Sequence, residues 1–582
     1  MSGTFRAGRA ARRRTRLRTK VLVAGVAVLT AAPLALTAGS TASAAPVGQG
    51  FNLNPSDLRF ILKQIKIAEQ HADTFTAGNP CGTMRGNGPD QIPSGEVGDT
   101  LPWGLRLIDG TCNNIVPGNV TVGSADQNFP RLVPKALKPA ENGDPDGPGP
   151  SGAVDTSYTQ TAGTVIDSQP RVISNLIVDQ TDDNPAAVAA AGENPEVTPS
   201  GAFFIPNVAP DVGLSAPYNS WFTLFGQFFD HGLDLVNKGN NGTVFMPLQT
   251  DDPLYDAASQ TNFMVLTRAT HDGDHEANNQ TSPWVDQSQT YTSHPSHQVF
   301  LREYALDAGG DPQPTGSLIT GAGDGMATWA DVRSQAASML GIALSDADAL
   351  SIPLLATDPY GRFVRGPNGL PQLVVPSAPG GLVEGNLTTP VSTAGATPTG
   401  HAFLDDLAHN AVPKSGFAAD GDGVVTPGLV PCERANVPAG CVNEYDDEML
   451  DAHFIAGDGR VNENIGLTTV HHVFHSEHNR LVEEIDSMIV NAENVAGGIT
   501  DLEEADWKAT NRYTARDGGY DYGERLFQAA RFVTEMEYQH LAFEEFIRKV
   551  QPMVALFGEG GTGYNTSIRP AIKAEFAHAV YR

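Results

Sequence analysis

The chain has 582 residues with 37 Lys and Arg against 67 Asp and Glu, a formal net charge of −30 at pH 7. A surface this acidic repels nucleic acid and anionic membranes and favours solubility, which excludes polyanion binding as its main task. The length exceeds what one simple core usually holds, so two domains or one large helical domain are expected.

The first 44 residues read as a secretory signal peptide. Arg6, Arg9, Arg12, Arg13, Arg14, Arg16, Arg18 and Lys20 form a basic start with no acidic residue. Residues 21–37 are an apolar run too short for a confident membrane span, and Ala42-Ser43-Ala44 before Ala45 fits the small-x-small cleavage rule. Without those eight basic residues the net charge is −38, and the mature chain of about 538 residues is expected to be secreted and extracellular, with no stable membrane insertion after cleavage. Its four cysteines, Cys81, Cys112, Cys432 and Cys441, suggest two disulfides in an exported protein. Cys81–Cys112 and Cys432–Cys441 is the simplest of three connectivities, and the spacing does not resemble a zinc site.

Residues 51–73 contain a helix, with Ser56 as its cap and Leu58, Ile61, Ile65 and Ile67 as its apolar side. From 78 to about 200 the composition turns to Gly, Pro, Asn and Asp, which predicts irregular loops. Residues 45–200 are therefore a loop-rich N-terminal region with a short helix. Next comes Ser220 to Val236, S-W-F-T-L-F-G-Q-F-F-D-H-G-L-D-L-V. Gln227 lies three and four residues from Asp230 and His231, so a helix puts it on a shared face with both. Polar groups on so apolar a helix are costly to bury unless something satisfies them.

The run G-Q-F-F-D-H resembles the distal helix of the animal-type haem peroxidases, the peroxidase–cyclooxygenase superfamily, and further phrases of that family follow in order. Arg106-Leu107-Ile108-Asp109-Gly110 is similar to an R-x-x-D-G phrase that precedes the distal helix. Residues 263–268, F-M-V-L-T-R, match a short strand ending in Arg. Residues 278–291, N-N-Q-T-S-P-W-V-D-Q-S-Q-T-Y, resemble the family's calcium loop. The resemblance implies Ca2+ ligands in the Ser282 and Ser288 hydroxyls, the Trp284 carbonyl and the Asp286 carboxylate. Gly232 stands where the family has a further Asp, so one carboxylate is missing unless Asp234 or a neighbouring acid substitutes, and affinity follows ligand charge.

Residues 305 to about 450 look like an insertion, with one helical piece near 327–349. Asp420-Gly421-Asp422-Gly423 hints at a calcium turn but lacks the EF-hand's spacing and closing Glu, and is taken as a loop. Then A-G-D-G-R-V-N-E (456–463) and E-H-N-R-L (477–481) resemble the same family closely. Residues 468–485 form an amphipathic helix bearing His471 and His475 at metal-ligand spacing, but Val473-Phe474 sit where a zinc protease needs Glu, and the resemblance treats this helix as scaffold. Residues 522–549 resemble the helix leading to the proximal side of the haem. The family's proximal histidine, in an x-G-H phrase, is expected just beyond Arg582, and His578 lies about one helical turn too early to replace it. Arg582, three residues before that expected ligand, is counted among the cofactor contacts.

The resemblance implies a mainly α fold, an animal haem peroxidase-like helical domain over 201–582 with little β and long irregular loops. It implies haem b, with His231 as the distal base, Arg460 as the fixed charge, Gln227 on the distal water, and Asp230 and Glu463 as ester links to the macrocycle. Asn464 follows Glu463 where some members carry Met, so a third link is not expected. Hydrogen peroxide and small reductants (phenols, halide or thiocyanate) are the expected partners. A fatty-acid dioxygenase of the cyclooxygenase branch and a non-catalytic adhesion or matrix protein on this scaffold are the alternatives.

Overall fold

Helix boundaries follow the capping residues. In the computed structural model, α1 (Pro55–Thr74) starts from Asn54, whose side chain accepts the backbone N–H groups of Ser56 and Asp57 while Asp57 bonds back to Asn54, a capping box. The cap is thus Asn54 and not Ser56, because Pro55 takes the first helical position. The model describes residues 52–84, 104–113, 120–133, 218–259, 262–270, 276–426, 429–432, 441–490, 497–509, 520–553 and 569–580, with short pieces between 165 and 205. The signal segment 1–44 and Arg582 lie outside the described residues.

Further helices among the described residues include α2 (Pro185–Ala191), α3 (Ser220–His231), α4 (Ser288–Tyr291), α5 (Pro295–Leu301), α6 (Trp329–Leu340), α7 (Asp447–Asp451), α8 (Ile465–Val490), α9 (Asp501–Lys508) and α10 (Tyr522–His540). Helix α10 continues as a π-helical turn, Leu541–Ile547. Strands are mostly short; the longest pair, Lys238–Pro247 with Phe263–Ala269, runs antiparallel. The fold is mainly helical, and residues Leu53–Arg582 cluster as one compact unit. No helix among the described residues is long and apolar enough to cross a membrane.

Burial is organised around α8 and α10. Leu481, Val482, Ile485 and Ile489 of α8 pack with Leu526, Ala529, Ala530 and Val533 of α10 and with Leu58, Ile61 and Ile65 of α1. At the start of α10, a Cβ on Gly523 would lie 1.8 Å from the Pro314 carbonyl oxygen, so the close approach of helix and strand Pro312–Leu318 requires glycine there. The charges of α10 are buried in pairs: Arg302 with Glu524, Arg525 with Glu69 and Arg531 with Glu535. Pairing is what makes so many charged side chains tolerable in an interior.

The stretch 305–450, loop-like by composition, supplies most of the largest buried cluster, including Trp329, Val332, Leu340, Ile352, Phe363, Leu373, Phe403 and Leu404. Its helical piece is α6, capped by Thr328 in a box with Asp331. Disulfides Cys81–Cys112 and Cys432–Cys441 are both present.

Candidate active site

Helix α3 begins at Asn219, whose side chain caps Trp221 N–H, and stops at His231, so the helix ends four residues earlier than the apolar pattern to Leu235 suggests. Its outer turns are held by the π turn after α10, where the Phe546 ring packs at tilted or edge-on angles against Phe222, Phe225 and Phe229. Phe228 is fully buried against Phe474 and His471 of α8. This packing fixes which face of α3 carries Gln227, Asp230 and His231.

That face meets the segment between α7 and α8. Gln227 Nε2 donates to Glu463 Oε2 at 2.8 Å, and Asn464 Nδ2 donates to Gln227 Oε1 at 3.0 Å. His231 Nε2 lies 3.5 Å from the same Glu463 oxygen. His231 is 2% exposed while the Glu463 side chain is 46% exposed, so a buried imidazole sits at the edge of an open polar face. Gln227, His231 and Glu463 are therefore brought together, with Asp230 beside them on α3.

Arg460 reaches the group from behind the backbone. Its Nη2 donates to His231 O (2.8 Å) and its Nη1 to Asp234 O (3.1 Å), while Nε and Nη2 bind the Asp458 carboxylate. Both side chains are buried. A guanidinium on the carbonyl of His231, the last residue of α3, is a charge-assisted cap at the negative end of the helix. Burial pushes the Asp458 carboxyl up, but the charge and hydrogen bonds of Arg460 outweigh it and hold the group below the usual carboxylate range.

The 282–288 loop is buried at Ser282, Asp286 and Ser288 and turns through left-handed Val285 and Gln287. Asp286 Oδ1 accepts Ser288 N–H at 3.1 Å, and its Oδ2 lies 3.4 Å from Arg106 Nη1. Arg106 also donates to the Asp286 carbonyl (2.9 Å) and to Glu535 (2.8 Å). Ser288 Oγ shares a hydrogen bond with Thr281 Oγ1, and Trp284 is half-buried. A Cβ on Gly232 would meet the Gln289 amide at 2.4 Å; Gln289 Nε2 instead donates to Phe228 O and Tyr538 OH.

On α8, His475 Nε2 bonds the Ile319 carbonyl, and His478 lies between Tyr291 OH and Gly316 O. Both serve packing. His578 Nδ1 faces the Ala574 carbonyl, and its ring packs edge-on against Phe129. Sequence reasoning passed over Asp458, Arg106 as a partner of Asp286, and Gln289. Asp458 stands inside the A-G-D-G-R phrase itself, so its signal was available.

A family model for the animal haem peroxidases matches residues 105–311 and 424–582. The chain belongs to the animal haem peroxidase family. The match passes over 312–423, within the stretch that looks like an insertion. The chain is 27% identical over 149 residues to peroxidasin of Drosophila melanogaster, covering 24% of this chain and 7% of that protein. It is 31% identical over 144 residues to chorion peroxidase of the same fly, covering 23% of this chain and 14% of that one. It thus spans a small part of the curated relatives it matches. Among solved structures, peroxidase A of Dictyostelium discoideum aligns at 15% identity over 81% of this chain and 57% of its own, with a TM-score of 0.34. A fatty acid alpha-dioxygenase of Oryza sativa aligns at 12% identity over 82% and 48%, with a TM-score of 0.30.

Proposed function

We propose that this chain is a secreted haem peroxidase that reduces hydrogen peroxide and oxidises small molecules such as phenols, halide or thiocyanate. The observation that carries the reading is the meeting of His231, Gln227 and Glu463 at one open face, within a family whose name implies haem. The donor chemistry fits that group: an imidazole, a primary amide and two carboxylates, Asp230 and Glu463, border the face, and the carboxylates would hold the macrocycle. Haem, when bound, supplies the redox-active iron through which electrons reach the peroxide.

His231 then does the proton work. A neutral imidazole takes a proton from hydrogen peroxide and returns it to the departing oxygen, which leaves as water once the oxygen–oxygen bond breaks. The Nε2 nitrogen, on the side of Glu463, is the atom that faces the open side. Gln227 orients a bound water or peroxide through its amide. Arg460, its charge balanced by Asp458, holds the backbone of His231 and so positions the imidazole. The export-signal pattern of residues 1–44 supports secretion.

The 282–288 loop offers calcium one carboxylate, two hydroxyls and a carbonyl, a donor set of the right chemistry. Its carboxylate already faces Arg106, and Gln289 fills the space beside Gly232. Calcium binding at this loop is accordingly weak.

In the haem-loaded protein, His231→Ala slows the reaction with peroxide by about a hundredfold, the scale of a lost general base. Stopped-flow mixing with hydrogen peroxide measures this, and an unchanged rate removes His231 from the mechanism.

A further inference from the structure

A group of carboxylates that the candidate active site does not use meets near α7. Ala418–Ala419 pair in parallel with Glu444–Tyr445, which sets Asp420 beside Asp446, and Glu448 follows in the first turn of α7. One carboxylate oxygen from each of Asp420, Asp446 and Glu448 lies within 4.8 Å of the others. Asp446 is fully buried and oriented by two backbone donors, Thr426 N–H at 2.8 Å and Met449 N–H at 2.7 Å.

A second observation points to a ligand. Both carboxylate oxygens of Asp420 are sealed from solvent, and neither accepts a hydrogen bond. One oxygen of Asp447 and one of Glu448 are in the same condition. Among the described residues no Lys, Arg or His forms an ion pair with any of these four acids. Sealed carboxylate oxygens with no donor are costly, and here they also repel one another.

We propose that Asp420, Asp446 and Glu448 form a calcium site that ties the 418–426 loop to the start of α7. The donors are all hard carboxylate oxygens, with no His or Cys, which disfavours zinc and copper. Calcium holds its oxygens at about 2.3–2.6 Å, so opposite ligands stand about 5 Å apart, in keeping with the observed spread. Magnesium needs about 2.0–2.1 Å in a stiff octahedron and keeps much of its water. Gly421 and Gly423, both in the left-handed region, let the loop turn away after Asp420. The other two ligands, Asp446 and Glu448, come from a separate segment, which explains why the Asp420–Gly423 phrase lacks an EF-hand's spacing.

The test uses the whole chain stripped of metal by chelation, with calcium chloride as the probe. Calorimetric titration and thermal unfolding with and without about 1 mM calcium are compared for wild type, Asp420→Asn and Glu448→Gln. Wild type binds calcium and unfolds at higher temperature with it. Each variant binds at least about tenfold more weakly and loses the calcium-dependent rise, since affinity follows ligand charge. Without calcium, Asp420→Asn unfolds at or above the wild-type temperature, because a repelling charge is gone; a variant that had merely misfolded would unfold lower. The proposal is overturned if wild type shows neither binding nor a rise, or if both variants bind as wild type does, which would place the ion elsewhere, at the 282–288 loop for instance. Equal protection by magnesium would overturn the assignment to calcium.

Discussion

Arg460→Ala is the most informative single change, because the structure names the groups that the lost guanidinium would deprive of a donor. The substitution leaves Asp458, 6% exposed, without its charge partner, and strips donors from the carbonyls of His231 and Asp234. Breaking a buried pair from one side costs about 3–5 kcal/mol, and a lost charge-assisted cap on α3 belongs to the same order. Chemical denaturation followed by circular dichroism should show a loss near the lower end of that range or above. Adding Asp458→Asn should recover part of it, since the uncompensated charge is then gone. The pH dependence has a definite sign. The folded-state pKa of Asp458 is depressed, so its contribution is fully present above the unfolded value near 4 and is lost as pH falls below that value. Wild type and Arg460→Ala should therefore converge in stability as the solution is acidified below pH 4. A loss under about 1 kcal/mol at neutral pH, with no convergence in acid, would refute the clamp.

Trp329→Ala should destabilise the protein by about 3–5 kcal/mol in the same assay, as expected for a fully buried indole packed on Phe403 and not for a residue of a decorative loop. Gly232→Asp should destabilise by roughly 1–3 kcal/mol because its side chain meets Gln289, whereas Gly232→Asp with Gln289→Ala should relieve the clash and strengthen calcium binding in titration. Burial depresses the pKa values of His297 and His478 to about 3 and of His471 to about 4, so unfolding takes up protons below pH 6.5 and stability falls from there towards pH 4. His471→Phe should flatten that slope by at most about 1.4 kcal/mol per pH unit, read from denaturation midpoints at several pH values.

Much of this was legible in the sequence because it rests on local chemistry. The amphipathic period placed α8, the family resemblance placed α10, and the spacing of Gln227 from Asp230 and His231 placed three polar groups on one helix face, as α3 has them. The simplest cysteine pairing is the one observed. What escaped the sequence depends on long-range geometry. The core role of Ile352, Leu373 and Phe403 is hidden because their stretch lacks long periodic runs: short strands and turns bury single residues at irregular intervals. Asp446 and Asp420 meet through two-residue strands, too short to leave an alternating pattern.

The 282–288 loop shows how a matching phrase and its surroundings diverge. Ser282, Trp284, Asp286 and Ser288 keep the spacing that supplies oxygen donors, and the left-handed turns at Val285 and Gln287 bend the backbone around them. Burial pushes the Asp286 carboxyl up, against the pull of Arg106, so the loop's one carboxylate depends on a neighbouring cation. Arg106 is in turn held by Glu535, which also binds Arg531, a buried chain of alternating charge running from the loop into α10. With Gly232 in place of an acid, that chain provides internally part of the positive charge that an ion would bring. The ligand phrase alone therefore counts donors without their neighbours, and Gly232, one position past His231, together with Arg106 is what the phrase leaves out.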